Sequence, residues 1–524
     1  MNQVINMVYS IEKIYYTYAT DRQQINLEGA SKEAFELISD SIRRNSLAIV
    51  QGPPGTGKTT LYYAVIENYL NKLDENEVIV YTAPSNRLVA DMLKRVSKLF
   101  PDKNTFLEQV RVYGSQFDYK NFERLRAPIT KKVRLVITTD YQRIFFSKDF
   151  KSEEYLSRFH MLIDEASRSP LHREFTPIAE ELLRSGKQVL GSLNVIGDPM
   201  QAISLTEFYR MSRREYLLME KILMKLMEHD YPDVYKEIVN NKIDLMDAIY
   251  KYPPKSFYKL LDTTRRLPNP TEEIISNAYY GGLLKSAVKG ETITRNIRSN
   301  YDKQILDKLK NEQEFARYVD NIEAVITTER LGIYHHVRGE AYTDPEYDLY
   351  DDVRAKIATI YAIALSAATR MHTTIISPYV DMMIQTKLLL NSLLNKLNLR
   401  WLNELIDVTT VQSMLGGEDH NIIAVLGKEH ISWSYLEPLY TIYFNEPELL
   451  NVQFSRHKGI FVIIGNLGRL RTTAGNLEGK IANANRIKKV TEETAKLAGI
   501  EFTGTKKSNI KIVNRDSILL FTQE

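Results

Sequence analysis

The stretch LAIVQGPPGTGKTTLYYAVIENYL, residues 47–70, decides the fold. It opens with an apolar run of strand length, passes through a Gly-Pro-Pro-Gly turn, and continues with apolar residues at helical spacing. Strand, glycine-rich loop and helix in that order are the context in which GxxxxGK[ST] closes around a phosphate. Gly52, Gly55 and Gly57 let backbone N–H groups approach an anion with no side chain between, and the positive end of the helix adds to the attraction. Gly52, Pro53, Pro54, Gly55, Thr56, Gly57, Lys58, Thr59 and Thr60 are therefore assigned to nucleotide binding. Lys58 is placed to reach the terminal phosphates and Thr59 to ligate magnesium. Chance yields this pattern in roughly 1 to 2% of chains of such length, so a glycine turn that merely caps a helix is the poorer explanation.

A phosphate loop of this kind needs a carboxylate site, and FHMLIDEASRSP (159–170) supplies one: an apolar strand, Phe159 to Ile163, followed by Asp164 and Glu165. An acid at a strand's carboxyl end holds magnesium, and its neighbour orients the attacking water as general base. An isolated Asp-Glu pair is ordinarily surface charge; behind a strand and paired with the phosphate loop it reads as a catalytic site. A third strand and turn lie in QVLGSLNVIGDPMQAISL (188–205), where Asp198 and Gln201 are in a position to sense a γ-phosphate, although on its own this segment reads better as a simple Gly-Asp-Pro turn. Further on, Arg456, His457 and Lys458 stand just before the apolar run Ile460–Ile464, a position where bases ordinarily face water.

With 524 residues the chain is too long for one core, and 44% hydrophobic with 26% charged residues is the composition of an ordinary globular protein. A net charge of +3 is too small to imply a polyanion partner by itself. The absence of cysteine excludes disulfides, thiolate zinc sites, iron-sulfur clusters and cysteine nucleophiles, and leans toward a hot-growing source. The longest apolar stretch, Ile357–Ala368, is too short to span a bilayer and reads as a buried helix. The N-terminus lacks the features of a secretion signal. A cytoplasmic protein without membrane contact is the expectation.

These segments, in this order, make the chain resemble a superfamily 1B helicase of the RNA-surveillance and senataxin-like branch, the nonsense-mediated-decay helicases, over roughly residues 25–467. YTAPSNRLVADML (81–93) resembles motif Ia, and VITTD (136–140) resembles the next nucleic-acid segment. LDTTRRLPNPTEEIISNAYYGGLL (261–284) is similar to the family's arginine-bearing stretch, and TIISPYVDMMIQ (374–385) to motif IV. VTTVQSMLGGEDHNIIAV (408–425) and LLNVQFSRHKGIFVIIGN (449–466) resemble motifs V and VI. The resemblance implies an α/β fold of two tandem RecA-like P-loop NTPase domains with parallel sheets. It implies that ATP and Mg2+ are used, with Thr59 and Asp164 holding the metal. Arg456 becomes the arginine finger supplied by the second domain, where a cation neutralises the transferring phosphoryl group. Arg265 is a second γ-phosphate contact, with Lys58, Asp164, Glu165 and Gln201 completing the catalytic set. Gly416 and Glu418 fall to the nucleotide, Glu418 either at its ribose or as a relay of nucleic-acid contact, and Pro84, Ser85, Asn86, Thr139, Ser377 and Pro378 to the nucleic acid.

The departures from the pattern are specific. Ser31 stands where the family has an adenine-reading glutamine, and Thr264 where it has a base-stacking tyrosine. Leu415 replaces a glutamine in motif V, while motif VI has Gln453, Ser455 and His457 where Ala, Thr and Ala are usual. A divergent, archaeal viral or plasmid-borne member is the reading.

The expected divisions are a first RecA-like domain over 1–205, a helical accessory insert over 206–258, a second RecA-like domain over 259–470, and a basic C-terminal extension over 471–524. Leu and Met at helical spacing in the insert indicate packing. Arg486, Lys488, Lys489, Lys506 and Lys507 are candidate phosphate contacts in the extension, beside the plainer reading of a helix and strand covering the core.

The function expected is a monomeric, nucleic-acid-dependent ATPase motor, a helicase moving 5′ to 3′ on single-stranded DNA or RNA. The alternative is a translocase that remodels nucleoprotein complexes without separating strands. A small-molecule kinase would have no use for the motifs after residue 260. The two weakened adenine-reading positions predict relaxed nucleotide choice: GTP and CTP are hydrolysed at more than about a hundredth of the ATP rate, a gap under ~3 kcal/mol, measured by steady-state hydrolysis of each.

Overall fold

The computed structural model describes residues 8–18, 25–75, 77–140, 158–171, 173, 175, 190–201, 217–338, 351–414, 416–427, 432–433, 438–439, 442–477, 484–503 and 509–523. The chain divides into two compact units, one of Met1–Pro199 with Ile203–Asp262, the other of Met200–Ala202 with Thr263–Glu524.

In the first unit, seven strands among the described residues form one sheet. They are β1 (Leu47–Gln51), β2 (Glu77–Ala83), β3 (Val110–Tyr113), β4 (Leu135–Thr139), β5 (Arg158–Ile163), β6 (Leu190–Gly197) and β7 (Tyr258–Leu260). Their order is β3-β4-β2-β5-β6-β1-β7 and every pair is parallel. Parallel strands need crossovers that cover both faces, so their sequences read as continuous apolar runs rather than alternations. β1, LAIVQ, is such a run and is buried from Ala48 onward. Helices α1 (Ala30–Arg44), α2 (Lys58–Tyr69) and α3 (Asn86–Val96) supply cover, their Ile38, Leu61, Val65, Val89 and Leu93 joining one core cluster with Val50, Ile79 and Leu162.

The second unit begins with a parallel ribbon of β8 (Thr263–Asn269) and β9 (Lys285–Lys289). Its main sheet holds, among the described residues, β10 (Gly332–His336), β11 (Thr373–Ser377), β12 (Ile406–Thr410), β13 (Asn421–Val425), β14 (Phe461–Gly465) and β15 (Leu519–Gln523). The order is β12-β11-β13-β14-β10-β15, again all parallel. Two α/β units, each on a large parallel sheet, are the tandem RecA-like architecture expected. The apolar stretch 357–368 lies within a helix, Asp352–Thr369, that is buried on nearly every side and capped by the Asp351 carboxylate accepting from Arg354 N at 3.0 Å. No helix among the described residues is long and apolar enough to cross a membrane.

The divisions differ from those expected in three places. The segment after residue 216 is helical, with Leu218–Asp230, Pro232–Val239 and Leu245–Lys251, and buried Leu218, Leu223 and Met227 confirm a packing stripe. It belongs to the first unit, however, because β7 hydrogen-bonds beside β1 as an edge strand. The second unit consequently starts at Thr263 rather than 259. The C-terminal segment is no appendage either, since β15 pairs with β10 inside the second sheet. Arg486 is only 4% exposed and so is a packing residue rather than a phosphate contact; residues 202–216, Leu415, Lys506 and Lys507 lie outside the described residues.

Gly332 faces Phe461 so closely that a Cβ would stand 1.8 Å from the Phe461 carbonyl oxygen, where only a backbone shift makes room. Gly332→Ala is expected to destabilise the second unit by about 1–3 kcal/mol, read as a lower urea midpoint; an unchanged midpoint would show the strand pair to be looser than described.

Candidate nucleotide-binding site

In a parallel sheet the crevice beyond the strands' carboxyl ends collects functional groups, and the first unit places its candidates there. The phosphate loop leaves β1, the acid pair leaves β5, Asp198 follows β6 and Ser85 follows β2. β6 lies between β1 and β5, so loop and acids start two strand spacings apart, roughly 10 Å. The first turn of α2 closes that gap. Thr59 Oγ1 donates to Asp164 Oδ2 at 3.3 Å, and Lys58 Nζ lies 3.5 Å from Glu165 Oε1. Lys58 Nζ also donates to the Gly52 carbonyl at 2.8 Å, curling back over the loop where a phosphate would sit. Gly57 opens α2 with φ +88, a left-handed conformation that a side chain would strain.

Asp164 is fully buried. Burial disfavours its charged form and the nearby Glu165 carboxylate adds to that, while the Tyr81 hydroxyl and the Lys58 ammonium act in the opposite sense; the result is a carboxyl pushed up to about 6. Tyr81 OH donates to Asp164 Oδ2 at 2.8 Å, and Glu165 N donates to Oδ1 at 2.9 Å. Glu165 itself adopts φ +50, an uncommon backbone for a residue with a side chain and one that concentrates at functional turns. A hydroxyl and a carboxylate side by side are hard oxygen donors of the kind Mg2+ takes, with waters and phosphate oxygens filling the other positions. Among the described residues no cluster of three or more His, Cys, Asp or Glu could hold a metal by itself.

Asp198 is tied to the same edge. Gln51, the last residue of β1, donates from Nε2 to Asp198 Oδ1 at 3.3 Å and to Tyr250 OH at 2.8 Å, and accepts from Tyr258 OH at 2.7 Å. The nucleic-acid candidates sit further along the edge. Ser85 caps α3, accepting from Leu88 N at 3.4 Å; Asn86 Nδ2 donates to Ser115 Oγ at 3.3 Å. Asn86 Oδ1 has no hydrogen-bond partner among the described residues, an acceptor still to be satisfied. Thr139 is 5% exposed at the end of β4, and Pro84 is half-buried before the cap.

The second unit gathers another set. Arg456 lies between the helix Glu448–Phe454 and β14. At 1% exposure it does not face water; Nη1 donates to the Gly417 carbonyl at 3.2 Å and Nη2 to Gln201 Oε1 at 3.3 Å. His457 is no cation: burial pushes it down to about 3, its ring stacks on Phe461 with centroids 4.4 Å apart, and Nε2 meets Thr271 Oγ1 at 2.8 Å. Lys458 pairs with Glu418, whose other oxygen accepts from Arg266 Nε at 2.7 Å. Gly416 and Arg265 are exposed, and Ser377 and Pro378 are buried. The Ser377 hydroxyl caps its own turn, accepting from Tyr379 N at 3.2 Å, so this side chain is engaged within the fold. Ser31 and Thr264 are both buried, and Thr264 Oγ1 accepts from Arg266 N at 3.3 Å.

Tyr81, Gln51 and Ser115 are the residues that sequence reasoning passed over. Tyr81 is one aromatic among several in an apolar strand, and nothing local announces a partner 83 positions away. Asp164 yields a test with a definite sign. Its carboxyl rises from 3.8 to about 6 on folding, so its neutral form is the stable one and stability falls as pH climbs through that window. In metal-free, nucleotide-free protein, Asp164→Asn should raise stability at pH 7.5 by up to about 3 kcal/mol and leave it unchanged near pH 3.5; a lowered midpoint at pH 7.5 in thermal melts would contradict this.

Residues 32–201 match the DEAD/DEAH box helicase family. A segment of 51 residues is 47% identical to the replicase polyprotein 1ab of Berne virus, covering 10% of this chain and 1% of that protein. Among solved structures, the complex of arterivirus nonstructural protein 10 (helicase) with DNA is 9% identical with a TM-score of 0.34, covering 83% of this chain and 62% of that one. The DUF1998 helicase MrfA bound to DNA is 10% identical with a TM-score of 0.38, covering 98% and 60%. The chain thus spans a hundredth of the polyprotein and about three-fifths of each solved chain, and its fold rests on the strand order above rather than on these superpositions. The phosphate loop, the acid pair and strands β1 to β6 of the first unit all fall inside the residues that match, so this stretch of the chain is similar to the DEAD/DEAH box helicase domain.

Proposed function

We propose that the chain is an ATP-driven motor of the superfamily 1B type, a helicase moving 5′ to 3′ along single-stranded DNA or RNA. The observation that carries the reading is the meeting of Thr59, Lys58, Asp164 and Glu165 at one sheet edge, a hydroxyl, an ammonium and two carboxylates within 3.5 Å contacts. Lys58 binds the terminal phosphates in place of the Gly52 carbonyl it now holds. Glu165 orients the attacking water and takes its proton. Thr59 and Asp164 would hold Mg2+, which would supply positive charge against the phosphate oxygens. Arg456 and Arg265 supply further positive charge to the transferring group, with Gln201 against the Arg456 guanidinium and Gly416 and Glu418 near the nucleotide. Pro84, Ser85, Asn86 and Thr139 hold the polynucleotide, mainly through phosphates, which favours a track without tight sequence preference.

The test is ATP turnover with no polymer, with single-stranded DNA and with single-stranded RNA, followed by strand displacement from a tailed duplex. Turnover should rise with at least one polymer. Glu165→Gln should lower it by about 100-fold or more while nucleotide binding persists. Arg456→Lys should be no better than Arg456→Ala, each about 1,000-fold down, because an ammonium lacks the planar fork. Turnover indifferent to both polymers would overturn the motor reading, and stimulated turnover without strand displacement would favour a nucleoprotein remodeller.

A further inference from the structure

Arg456 owes its placement to a loop that is itself anchored from below. The loop 416–420 touches the arginine at both ends: the Gly417 carbonyl accepts from Nη1 at 3.2 Å, and Asp419 N donates to the Arg456 carbonyl at 2.9 Å. Lys458 N donates back to the Asp419 carbonyl at 2.9 Å, so Asp419 pairs strand-like across His457. The Asp419 side chain then fastens this loop to the main sheet. Its Oδ2 accepts from His372 Nδ1 at 2.5 Å and from Thr374 Oγ1 at 2.5 Å, and its Oδ1 accepts from His420 N at 2.7 Å. His372 immediately precedes β11, and its Nε2 lies 3.7 Å from Asp407 Oδ2 on the neighbouring β12. An ionised carboxylate only accepts, so His372 Nδ1 carries the hydrogen, and the imidazole is held between two acids in one orientation.

We propose that His372 and Asp419 are positioning residues for Arg456, setting the main chain on either side of it so that its guanidinium points one way. This rests on the reading of Arg456 as the cation that assists phosphoryl transfer. The loop bonds directly to the main sheet through one carboxylate with three donors, and a charge-assisted hydrogen bond is about twice as strong as a neutral one. Loss of the His372 donor would leave Asp419 with Thr374 and its own loop, enough to keep the fold but not the register of the arginine. A catalytic group displaced by an ångström loses much of its effect.

The experiment measures polymer-stimulated ATP turnover of the full chain in His372→Ala, His372→Asn, Arg456→Ala and the double variant His372→Ala/Arg456→Ala. The expected result is that His372→Ala lowers kcat about 10- to 100-fold with KM for ATP within about threefold of wild type. His372→Asn, whose amide N–H stands near the position of Nδ1, should recover most of the loss. The double variant should be no slower than Arg456→Ala, because a misplaced arginine cannot be lost twice. Wild-type kcat in His372→Ala, no recovery in His372→Asn, or multiplied losses in the double variant would each overturn the proposal. Wild-type turnover in Arg456→Ala would remove the reading of Arg456 itself, a failure visible in that single variant and distinct from the other three.

Discussion

Asp164 sits wholly out of water at the end of a parallel strand, and a buried carboxylate persists only where hydrogen bonds and nearby cations replace its hydration. The first unit meets that demand from four directions. Tyr81 reaches across from the adjacent strand, Thr59 comes from the first turn of α2, and the Glu165 amide folds back because its residue takes a left-handed backbone. Lys58 adds a charge near enough to oppose the rise in pKa. Each of these groups can serve its place only if β1, β2, β5 and α2 keep their register. The site is therefore a condition on the packing of the whole sheet, and the long buried strands supply the rigidity that it needs.

The second unit solves the opposite electrostatic problem, a guanidinium with almost no exposure. Carbonyl and amide oxygens, those of Gly417 and Gln201, are among the groups that accept from it, and such hydrogen bonds replace part of the hydration that a buried cation loses. The uncharged His457 stacked on Phe461 fits the same arrangement, since a second cation beside Arg456 would repel it.

Much of this was legible because local chemistry announces itself. Gly52, Gly57, Lys58 and Thr59 form one short pattern whose meaning depends on a strand before and a helix after, both readable from apolar spacing. The apolar stretch 357–368 was equally plain as a covered helix. The limits of the units were not, because β7 looks like the start of the segment that follows it until its pairing with β1 is known. β15 likewise becomes part of a sheet only through hydrogen bonds to a strand about 190 residues earlier, an interval set by β10 and β15. Exposure was the other hidden quantity: Ser377, Pro378 and Arg486 have the types that bind phosphates or line a turn, yet all three are buried.

By itself the sequence pointed to phosphate chemistry, because a phosphate loop and an acid pair after an apolar strand are each written in neighbouring residues. It also determined that parallel sheets would carry them, since strands buried on both faces must be apolar throughout. Tertiary structure alone decided which side chains serve those groups. Tyr81 finds Asp164, Gln51 finds Asp198, and His372 with Asp419 braces the loop that holds Arg456. The physical reason is that a hydrogen bond needs two atoms near 3 Å, and residues tens or hundreds of positions apart come that close only through strand order and register.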